Sequence, residues 1–486
     1  MDHLALSLLE FPPPSGTYDD AIYHKAAKAH CQKVEKLMTS SSFKDFAPRL
    51  LDHVHPEYHS ISYLSLLIAI KNAGNLPLGD LLAKITVFLN TFDSIQVRYA
   101  GKMFTTVLEW LSSGTLFPAS VAAELLATAL LKLDPWGSVL TSHHVAMVKL
   151  AYTTDDIQPI LPVIEKDIVF YPGMKGSNET RPLCDENVPP PAYLTVESGL
   201  TRQLSSNDVL QYDFLRGLCF IQRQSWKQAF DALERVITYP TREHTACSKI
   251  MVEAHNKWIL VGLLLNGKAP ALPATTALGP QKVYSSLSKP YQSIARAFEE
   301  NTATTLKGEF EALGAQFWAE ENNLNLMRLV LQHYQRWQIL RLRGVYTKIS
   351  LEQIRQRTQN AETAAPLQSE AEIEEIVQSM IDNGMLTGVI ERPENGDPRY
   401  LTFLDGAEEP SEAEFARKMV RTAQRLEGLG HLIKTTNERL GTSRDYIRFL
   451  VNQQKKEKDA GARDYNLAFI NQVEDEDLMT GVMAGY

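Results

Sequence analysis

Hydrophobic residues recur at spacings of three and four through most of the chain, which is the spacing of an amphipathic helix. In residues 1–171 this pattern predicts consecutive helices, as in LGDLLAKITVFLNTF and QVRYAGKMFTTVLEWL. Short segments rich in Pro, Gly and Ser separate these helices, as in helical hairpins. The pattern stops in residues 172–206, where PGMKGSNETRPLCDENVPPPAY predicts a long, exposed, proline-rich loop.

Helical spacing returns in residues 207–342 and contains one degenerate repeat. Gly217, Ala229 and Leu233 have the spacing found in a tetratricopeptide repeat, whose small residues let paired helices approach closely. Asp213 stands where that repeat carries tryptophan, and no second clear copy follows. The two helical regions together predict a mostly α fold, with an N-terminal α-solenoid of TPR-like helical repeats.

The pattern changes at residue 343. The β-branched run VYTKIS precedes two capping boxes, which begin at Ser350 and Ser369 and each predict a short helix. LTGVIERPENGDPRYLTFL then predicts a β-hairpin. Strand, helix, helix and hairpin is the order of a winged helix, which we assign to residues 343–406. A polar insertion at residues 358–368 separates its two helices.

The run RYLTFL is predicted to be the outer strand of the hairpin. An outer strand carries N–H and C=O groups without partners, and these invite pairing with another chain. We therefore predict a protein interface at Tyr400, Leu401, Thr402 and Phe403.

A long helix is predicted at residues 411–459. Its apolar residues form two neighbouring stripes with a seven-residue repeat, the pattern of helices that pack lengthwise against other helices. Such a helix gains most of its stability from packing its apolar face, so we predict an interface in a helical bundle. The stripe residues are Phe415, Met419, Leu426, Leu429, Ile433, Leu440, Ile447 and Leu450. Residues 460–486 contain four consecutive acidic residues and are predicted to form a disordered acidic tail.

Composition narrows the class of protein. The 486 residues are 44% hydrophobic and 22% charged, an ordinary balance for a soluble globular protein. The net charge of −9 disfavours nucleic acid and anionic membrane as partners. Four scattered cysteines, together with an N-terminus unlike a secretory signal, favour a location inside the cell.

The segment HVHPEYHSISY raises the question of a metal site. His53 and His55, followed by Pro56, open the zinc motif of JAMM-type metalloproteases. That motif continues with a serine and an aspartate, but Tyr63 and Leu66 stand at those positions, and catalytic zinc needs three protein ligands. We interpret the histidines as polar residues at a helix junction.

No other segment predicts catalysis. The sequence lacks GxGxxG, a Walker loop, GxSxG and HExxH. The pair His143-His144 is expected on a solvated face, and Cys219 in the core. We therefore predict no enzyme, and no catalytic, cofactor-binding or metal-binding residues.

Charge also bears on DNA binding by a winged helix. Such a domain needs Lys or Arg on its recognition helix, yet residues 358–391 contain none, and the second helix is acidic. We expect no nucleic acid as a partner. Protein contact is favoured.

A helical array followed by a winged helix and a heptad-patterned helix resembles the PCI-domain family. Its members are scaffold subunits of the COP9 signalosome, the proteasome lid and a translation initiation factor. The resemblance covers most of residues 50–410 and is dense at 210–300. It is carried by HPEYHSISYL, VRYAGKMF, IQPILPVIEKDI, LSKPYQSIARAF, YTKISLEQI and, most strongly, WKQAFDALERVITYPT with SKIMVEAHNKWILVGLLLNGK. The insertion at residues 358–368 departs from the family pattern.

The resemblance implies a non-catalytic scaffold. Among PCI complexes it favours the COP9 signalosome, which removes the ubiquitin-like modifier Nedd8 from cullins and works in the cytoplasm and nucleus. It implies signalosome subunits 1 and 8 as PCI neighbours, and a bundle formed with the C-terminal helices of the remaining subunits. Two alternatives stay open at this point: a scaffold subunit of another PCI complex such as the proteasome lid, and a nucleic-acid-binding winged-helix protein.

Overall fold

The fold was analysed in a computed structural model. It describes residues 2–12, 19–114, 116–172, 182–186, 188–241, 247–300, 302–392, 398–404, 412–442 and 444–459. The predicted acidic tail, residues 460–486, lies outside the described residues. Among those described, two units are distinct: residues up to Phe415, and the C-terminal helices.

Helices dominate both units. In chain order they are α1 (Asp2–Leu9), α2 (Asp20–Leu37), α3 (Ser41–Leu51), α4 (Ser60–Ala73), α5 (Leu78–Thr91), α6 (Ser94–Val97), α7 (Gly101–Ser112), α8 (Ala119–Leu133), α9 (Ser142–Thr154), α10 (Leu161–Ile164), α11 (Pro190–Tyr193), α12 (Ser206–Gln222), α13 (Trp226–Ile237), α14 (Lys249–Asn266), α15 (Leu278–Leu287), α16 (Lys289–Glu299), α17 (Ala303–Glu320), α18 (Leu324–Leu342), α19 (Leu351–Arg357), α20 (Glu370–Asp382), α21 (Glu412–Thr442) and α22 (Arg444–Asp459). A 3-10 turn at Gln158–Ile160 precedes α10, and Gly314 breaks α17 with a non-helical backbone.

Consecutive helices pack as pairs, as the spacing of apolar residues predicts. The closest approach in the predicted repeat is that of α12 to α13. A Cβ built on Gly217 would lie 3.0 Å from Leu233 Cδ2, so only glycine fits without displacing Leu233. Ala229 of α13 is fully buried. The predicted role of Gly217 in close helix packing is confirmed.

Asp213 contributes a buried charge to this pair. It pairs with Arg235 of α13 at 3.6 Å and with Arg216 at 3.9 Å. Arg216 Nε also donates to the Ile164 carbonyl oxygen at 2.6 Å, and Arg235 Nη2 donates to Ile168 O at 3.0 Å. The cluster therefore joins the repeat to the end of the preceding helical region.

The segment predicted to be an exposed loop is mostly buried or half-buried where it is described. Tyr193 and Leu200 are 2% and 0% exposed. The Tyr193 hydroxyl donates to Leu133 O at 2.6 Å, and Arg98 Nη1 donates to Leu183 O at 2.9 Å. The prediction of exposure is wrong, because polar side chains of distant helices satisfy the backbone groups that would otherwise need water.

A three-stranded antiparallel sheet follows α18. Its strands are β1 (Lys348–Ser350), β2 (Gly388–Glu391) and β3 (Tyr400–Phe403), in the order β1-β3-β2. With α19 and α20 they form a compact unit, here called the sheet module. The order strand, helix, helix, hairpin agrees with the sequence pattern.

One prediction about this sheet is wrong. Tyr400–Phe403 is the central strand and not the outer one, since it pairs with β1 on one side and β2 on the other. A hairpin alone would leave it at the edge, but the distant strand β1 takes up its second row of hydrogen-bonding groups. Leu401 and Phe403 are buried in the module's core, at 0% and 6% exposed.

Helix α18 belongs to both the helical array and the sheet module. Towards the array, the Tyr334 ring packs against Phe298 with 5.2 Å between centroids, and Arg341 Nη2 donates to Gly267 O at 3.1 Å. Towards the module, Ile339 is fully buried in its hydrophobic core. A single continuous helix thus fixes the two parts against each other.

The polar insertion at residues 358–368 packs against the same helix. Gln335 Nε2 donates to Thr358 Oγ1 at 3.0 Å, and the Gln359 N–H donates to Gln338 Oε1 at 2.8 Å. An antiparallel bridge between Asn360 and Ala365 closes the insertion on itself. These residues lengthen the contact between α18 and the sheet module.

Two helix-terminal glycines provide a test of the joint at α18. Gly267, after α14, and Gly74, after α4, have nearly equal φ values of +66° and +65°. A Cβ on Gly267 would lie 2.4 Å from the Trp337 indole, whereas a Cβ on Gly74 meets nothing within 4 Å. We expect Gly74→Ala to cost about 1 kcal/mol of stability from backbone strain alone. Gly267→Ala should cost roughly 1–3 kcal/mol more, because Trp337 must move.

Chemical denaturation of the two variants and the parent chain measures this difference. If both variants lose the same free energy of unfolding, Trp337 moves at little cost and the packing at α18 does not constrain Gly267.

Candidate assembly surfaces

The outer edge of β2 is the first candidate surface. Leu404 N donates to Thr387 O, so the N–H groups of Thr387, Val389 and Glu391 face β3, and those of Gly388 and Ile390 alternate outward. The Val389 side chain is 51% exposed. Among the described strands, β2 pairs with β3 alone, and its outward groups can accept another strand.

The residues predicted as an interface are divided between two faces of the sheet. Leu401 and Phe403 point into the core, whereas Tyr400 and Thr402 are half-buried on the opposite face. There Lys348 Nζ pairs with Glu391 at 2.5 Å and lies 5.0 Å from the Tyr400 ring centroid. Thr402 Oγ1 donates to Glu391 at 2.6 Å. This face is therefore a polar layer that links all three strands.

Charge on α20 matches the sequence expectation. Glu374 holds the two arginines that flank the hairpin loop: Arg392 Nη2 lies 2.6 Å away, and Arg399 also pairs with it. Burial opposes ionisation of Glu374, but hydrogen bonds and charge from both arginines outweigh it and lower the pKa of its carboxyl. Phosphate contacts need free cations, and these two are already paired.

The C-terminal helices form the second candidate surface, and they make up a unit of their own. The described side chains of both predicted stripes are exposed. Their exposed fractions are 55% for Phe415, 58% for Met419, 64% for Leu426, 37% for Leu429, 57% for Ile433, 36% for Ile447 and 39% for Leu450. The side chain of Leu440 lies outside the described residues. We call this set the apolar stripe.

Two further apolar residues of these helices are exposed but lie off the apolar stripe. Val420 and Phe449 are 58% and 59% exposed, and each follows or precedes a stripe position by one residue, about 100° around the helix axis. A strict seven-residue repeat excludes them, so the heptad criterion missed them. A count of all apolar residues on the helix would have found both.

The histidines of HVHPEYH occupy the junction between α3 and α4, as the sequence predicts. His53 and His55 are exposed, and His59 Nδ1 lies 2.6 Å from Phe11 O. No cluster of three or more His, Cys, Asp or Glu suited to a metal occurs among the described residues.

The expectation for His143-His144 is wrong. Both are 2% exposed, because α9 lies within the helical array. The His144 Nδ1 atom accepts from Thr141 N at 3.1 Å and so caps the start of α9. A capping role explains a histidine at this position without any ligand. Cys219, by contrast, is fully buried as predicted.

No helix in the part of the chain that the structure describes is long and apolar enough to span a membrane.

Comparison with known proteins places these features in a family. The model for the N-terminal helical repeats of COP9 signalosome complex subunit 3 matches residues 22–278, more than half of the chain. The chain belongs to the COP9 signalosome subunit 3 family. This confirms the resemblance carried by the quoted motifs, and the helical-repeat match confirms the α-solenoid.

Full-length relatives agree with this assignment. COP9 signalosome complex subunit 3 of Neurospora crassa is 45% identical over 499 residues, which cover 100% of both chains. The protein of the same name from Emericella nidulans is 30% identical and covers 83% of each chain. That from Dictyostelium discoideum is 24% identical over 57% of this chain and 61% of its own.

Buried histidines predict acid sensitivity of the fold. Burial lowers the pKa of His143 to about 4 and that of His255 also to about 4, and burial together with the charge of His143 lowers the pKa of His144 to about 3. Unfolded chains bind these protons near pH 6.5, so the stability present above that pH is lost as pH falls towards 4. Each histidine should contribute a slope of about 1.4 kcal/mol per pH unit.

His255→Gln tests this point. Glutamine does not titrate and can still hydrogen-bond to Ser288 Oγ, which lies 2.8 Å from His255 Nδ1. Denaturant titrations between about pH 5 and pH 6 should show a slope shallower by roughly 1 kcal/mol per pH unit, and the slopes of variant and parent should converge above about pH 7. An unchanged slope would mean that His255 is already protonated in the folded state.

Proposed function

We propose that this protein is a non-catalytic scaffold subunit of the COP9 signalosome, the complex that removes Nedd8 from cullins, in the cytoplasm and nucleus. The observation that carries the proposal is the exposed apolar stripe on a chain of the subunit 3 family. A chain of this family that exposes such a stripe is suited to assembly with other chains. Its neighbours would be signalosome subunits 1 and 8 through the sheet module, which we take to be a winged helix.

The apolar stripe supports a role in a helical bundle. Isolated amphipathic helices are poorly stabilised in water, and most helical stability comes from packing an apolar face. Phe415, Met419, Leu426, Leu429 and Ile433 lie within one helix, α21. Covering each contributes about 1.5–3 kcal/mol, less the fraction already buried, so the five together favour assembly by roughly 4–8 kcal/mol before ordering costs. We propose that the C-terminal helices of the other subunits cover this stripe.

The first assembly prediction uses Leu426→Asp with Ile433→Asp. Both side chains are more than half exposed, so the rest of the chain should melt as before. A carboxylate on each stripe position cannot enter an apolar bundle without a large desolvation cost. We expect loss of stable incorporation when the complex is reconstituted and measured by native mass spectrometry.

The matched control is Gln424→Asp with Asn437→Asp, which adds the same charge at exposed positions off the stripe. Control chains should assemble normally. If the stripe variant unfolds the isolated protein, the stripe is covered by its own chain and the bundle proposal fails.

The sheet edge gives a second assembly prediction. Because the Ile390 N–H faces outward and the Val389 N–H faces β3, proline has opposite effects at these neighbouring positions. Ile390→Pro should keep the internal ladder and block an added strand from a neighbouring PCI subunit. Val389→Pro should instead remove the ladder bond opposite Thr402 and destabilise the sheet module itself.

Pulldown with the neighbouring subunits and thermal unfolding, done on both variants, separate the two effects. Normal association of folded Ile390→Pro protein would show that β2 is not the joint. Thr402→Pro is not a suitable test, because Thr402 lies on the central strand.

A further inference from the structure

A cavity of about 670 Å³ lies where α2, α6 and the α3–α4 junction meet. It includes part of the segment HVHPEYH that neither the zinc interpretation nor the proposed function explains. We call it the acidic cavity and define it by Asp20, Glu57, Tyr58, Asp93, Gln96 and Lys132, which line it.

Gln96 is the least exposed of these residues, at 2%. Its Nε2 donates to Tyr58 O at 2.8 Å, which holds the amide in place. Its Oε1 has no hydrogen-bond partner among the described residues. A buried acceptor without a partner is costly, and few persist in folded proteins. Gln96 Oε1 is therefore an unmet acceptor in the wall of the cavity.

The charges around Gln96 favour a cation. Three carboxylates line the cavity against a single ammonium, that of Lys132. That ammonium is already engaged, since it donates to Asn90 O at 2.8 Å and lies 4.7 Å from the Phe92 ring centroid. Burial raises the pKa of Asp93, although its hydrogen bonds and the charge of Arg98 oppose the shift, and a further cation in the cavity would favour its charged form.

Aromatic rings complete the site. Tyr58 is 63% exposed at the rim, and the His55 ring packs against it with 5.1 Å between centroids. Tyr23 also lines the cavity, and its ring packs against Phe11 at 5.1 Å. Aromatic faces attract guanidinium groups, both through the ring quadrupole and through planar stacking.

We propose that the acidic cavity is a docking site for an arginine side chain of a partner protein. A guanidinium has five N–H donors in a planar fork, which suits separated acceptors such as Gln96 Oε1 and the flanking carboxylates. A lysine ammonium has three donors and stacks less well on tyrosine. A metal ion is disfavoured, because no suitable ligand cluster occurs in the described part of the chain. The proposal stands apart from the bundle and the sheet edge.

Calorimetric titration of the full chain tests the chemistry of the cavity. The probe is N-acetyl-arginine amide, with its neutral isostere N-acetyl-citrulline amide and N-acetyl-lysine amide as comparisons. We expect arginine to bind at least about tenfold more tightly than either comparison.

Glu57→Gln, a change at an exposed carboxylate, should weaken arginine binding about tenfold, and Gln96→Leu should do the same. Glu124→Gln, an exposed carboxylate outside the cavity, should leave it unchanged. The proposal is overturned if the citrulline or lysine derivative binds as tightly as the arginine derivative, or if no probe shows saturable binding. It is also overturned if Glu57→Gln and Glu124→Gln weaken arginine binding equally.

Photo-cross-linking identifies the source of the side chain. Tyr58 is replaced by p-benzoylphenylalanine in the reconstituted complex, and the cross-linked peptides are sequenced. We expect a partner peptide with an arginine near the cross-link, and we expect Glu57→Arg to weaken that contact until the partner arginine is changed to glutamate. Cross-links confined to this chain, or no rescue by the reciprocal change, would show that no partner arginine occupies the cavity.

Discussion

The contact between α18 and the elements on both sides of it is the constraint on which the larger unit depends. Helix α18 packs on α14 and α17, and its Ile339 enters the core of the sheet module. A continuous helix transmits position without a hinge, so the orientation of the module's free edge is set by the array. The insertion at residues 358–368 adds polar bonds to this joint. Glutamines on α18 supply three of them, which is why a polar segment can pack there without leaving backbone groups unsatisfied.

Local patterns predicted the helices well, since three- and four-residue spacing is a property of each segment alone. They also predicted the order of the sheet module and the stripe on α21. Local patterns did not predict the strand order of the sheet. Whether Tyr400–Phe403 is central or outer depends on β1, some fifty residues earlier, and no local pattern encodes that pairing. The alternation along the strand separates Leu401 and Phe403 in the core from Tyr400 and Thr402 on the other face, a division that the interface prediction did not make. What the pattern lacks is the identity of the neighbour.

The same distinction explains the segment after α10. Proline and glycine correctly indicated an absence of long helices, yet burial there depends on residues far away in sequence. A Cβ on Gly101 would lie 2.2 Å from Ser198 O, so α7 and this segment touch backbone to backbone. Thr105 Oγ1 donates to Gly199 O at 2.6 Å in the same contact. The composition of a segment indicates which regular structures it does not form. Its position and burial depend on hydrogen bonds to residues far away in the sequence. His143 and His144 were misjudged for the same reason.

The candidate surfaces differ in the kind of group that lacks a partner: apolar side chains, backbone hydrogen-bonding groups, or buried polar and charged side chains. This difference indicates which kind of partner each surface can bind. The apolar stripe exposes hydrocarbon over many turns and makes no directional demand, so it favours any partner with a matching apolar face. The β2 edge exposes backbone donors and acceptors, which select an extended strand but read little sequence. The acidic cavity has one buried acceptor, three carboxylates and aromatic side chains in its lining, a combination suited to a single arginine side chain. Energy for assembly can come from the first surface, orientation from the second, and discrimination between partners from the third. The apolar stripe could be predicted from the sequence, because its residues repeat along one helix. The acidic cavity could not be predicted from the sequence, because only the fold brings together Asp20, Glu57 and Gln96, which belong to three separate elements.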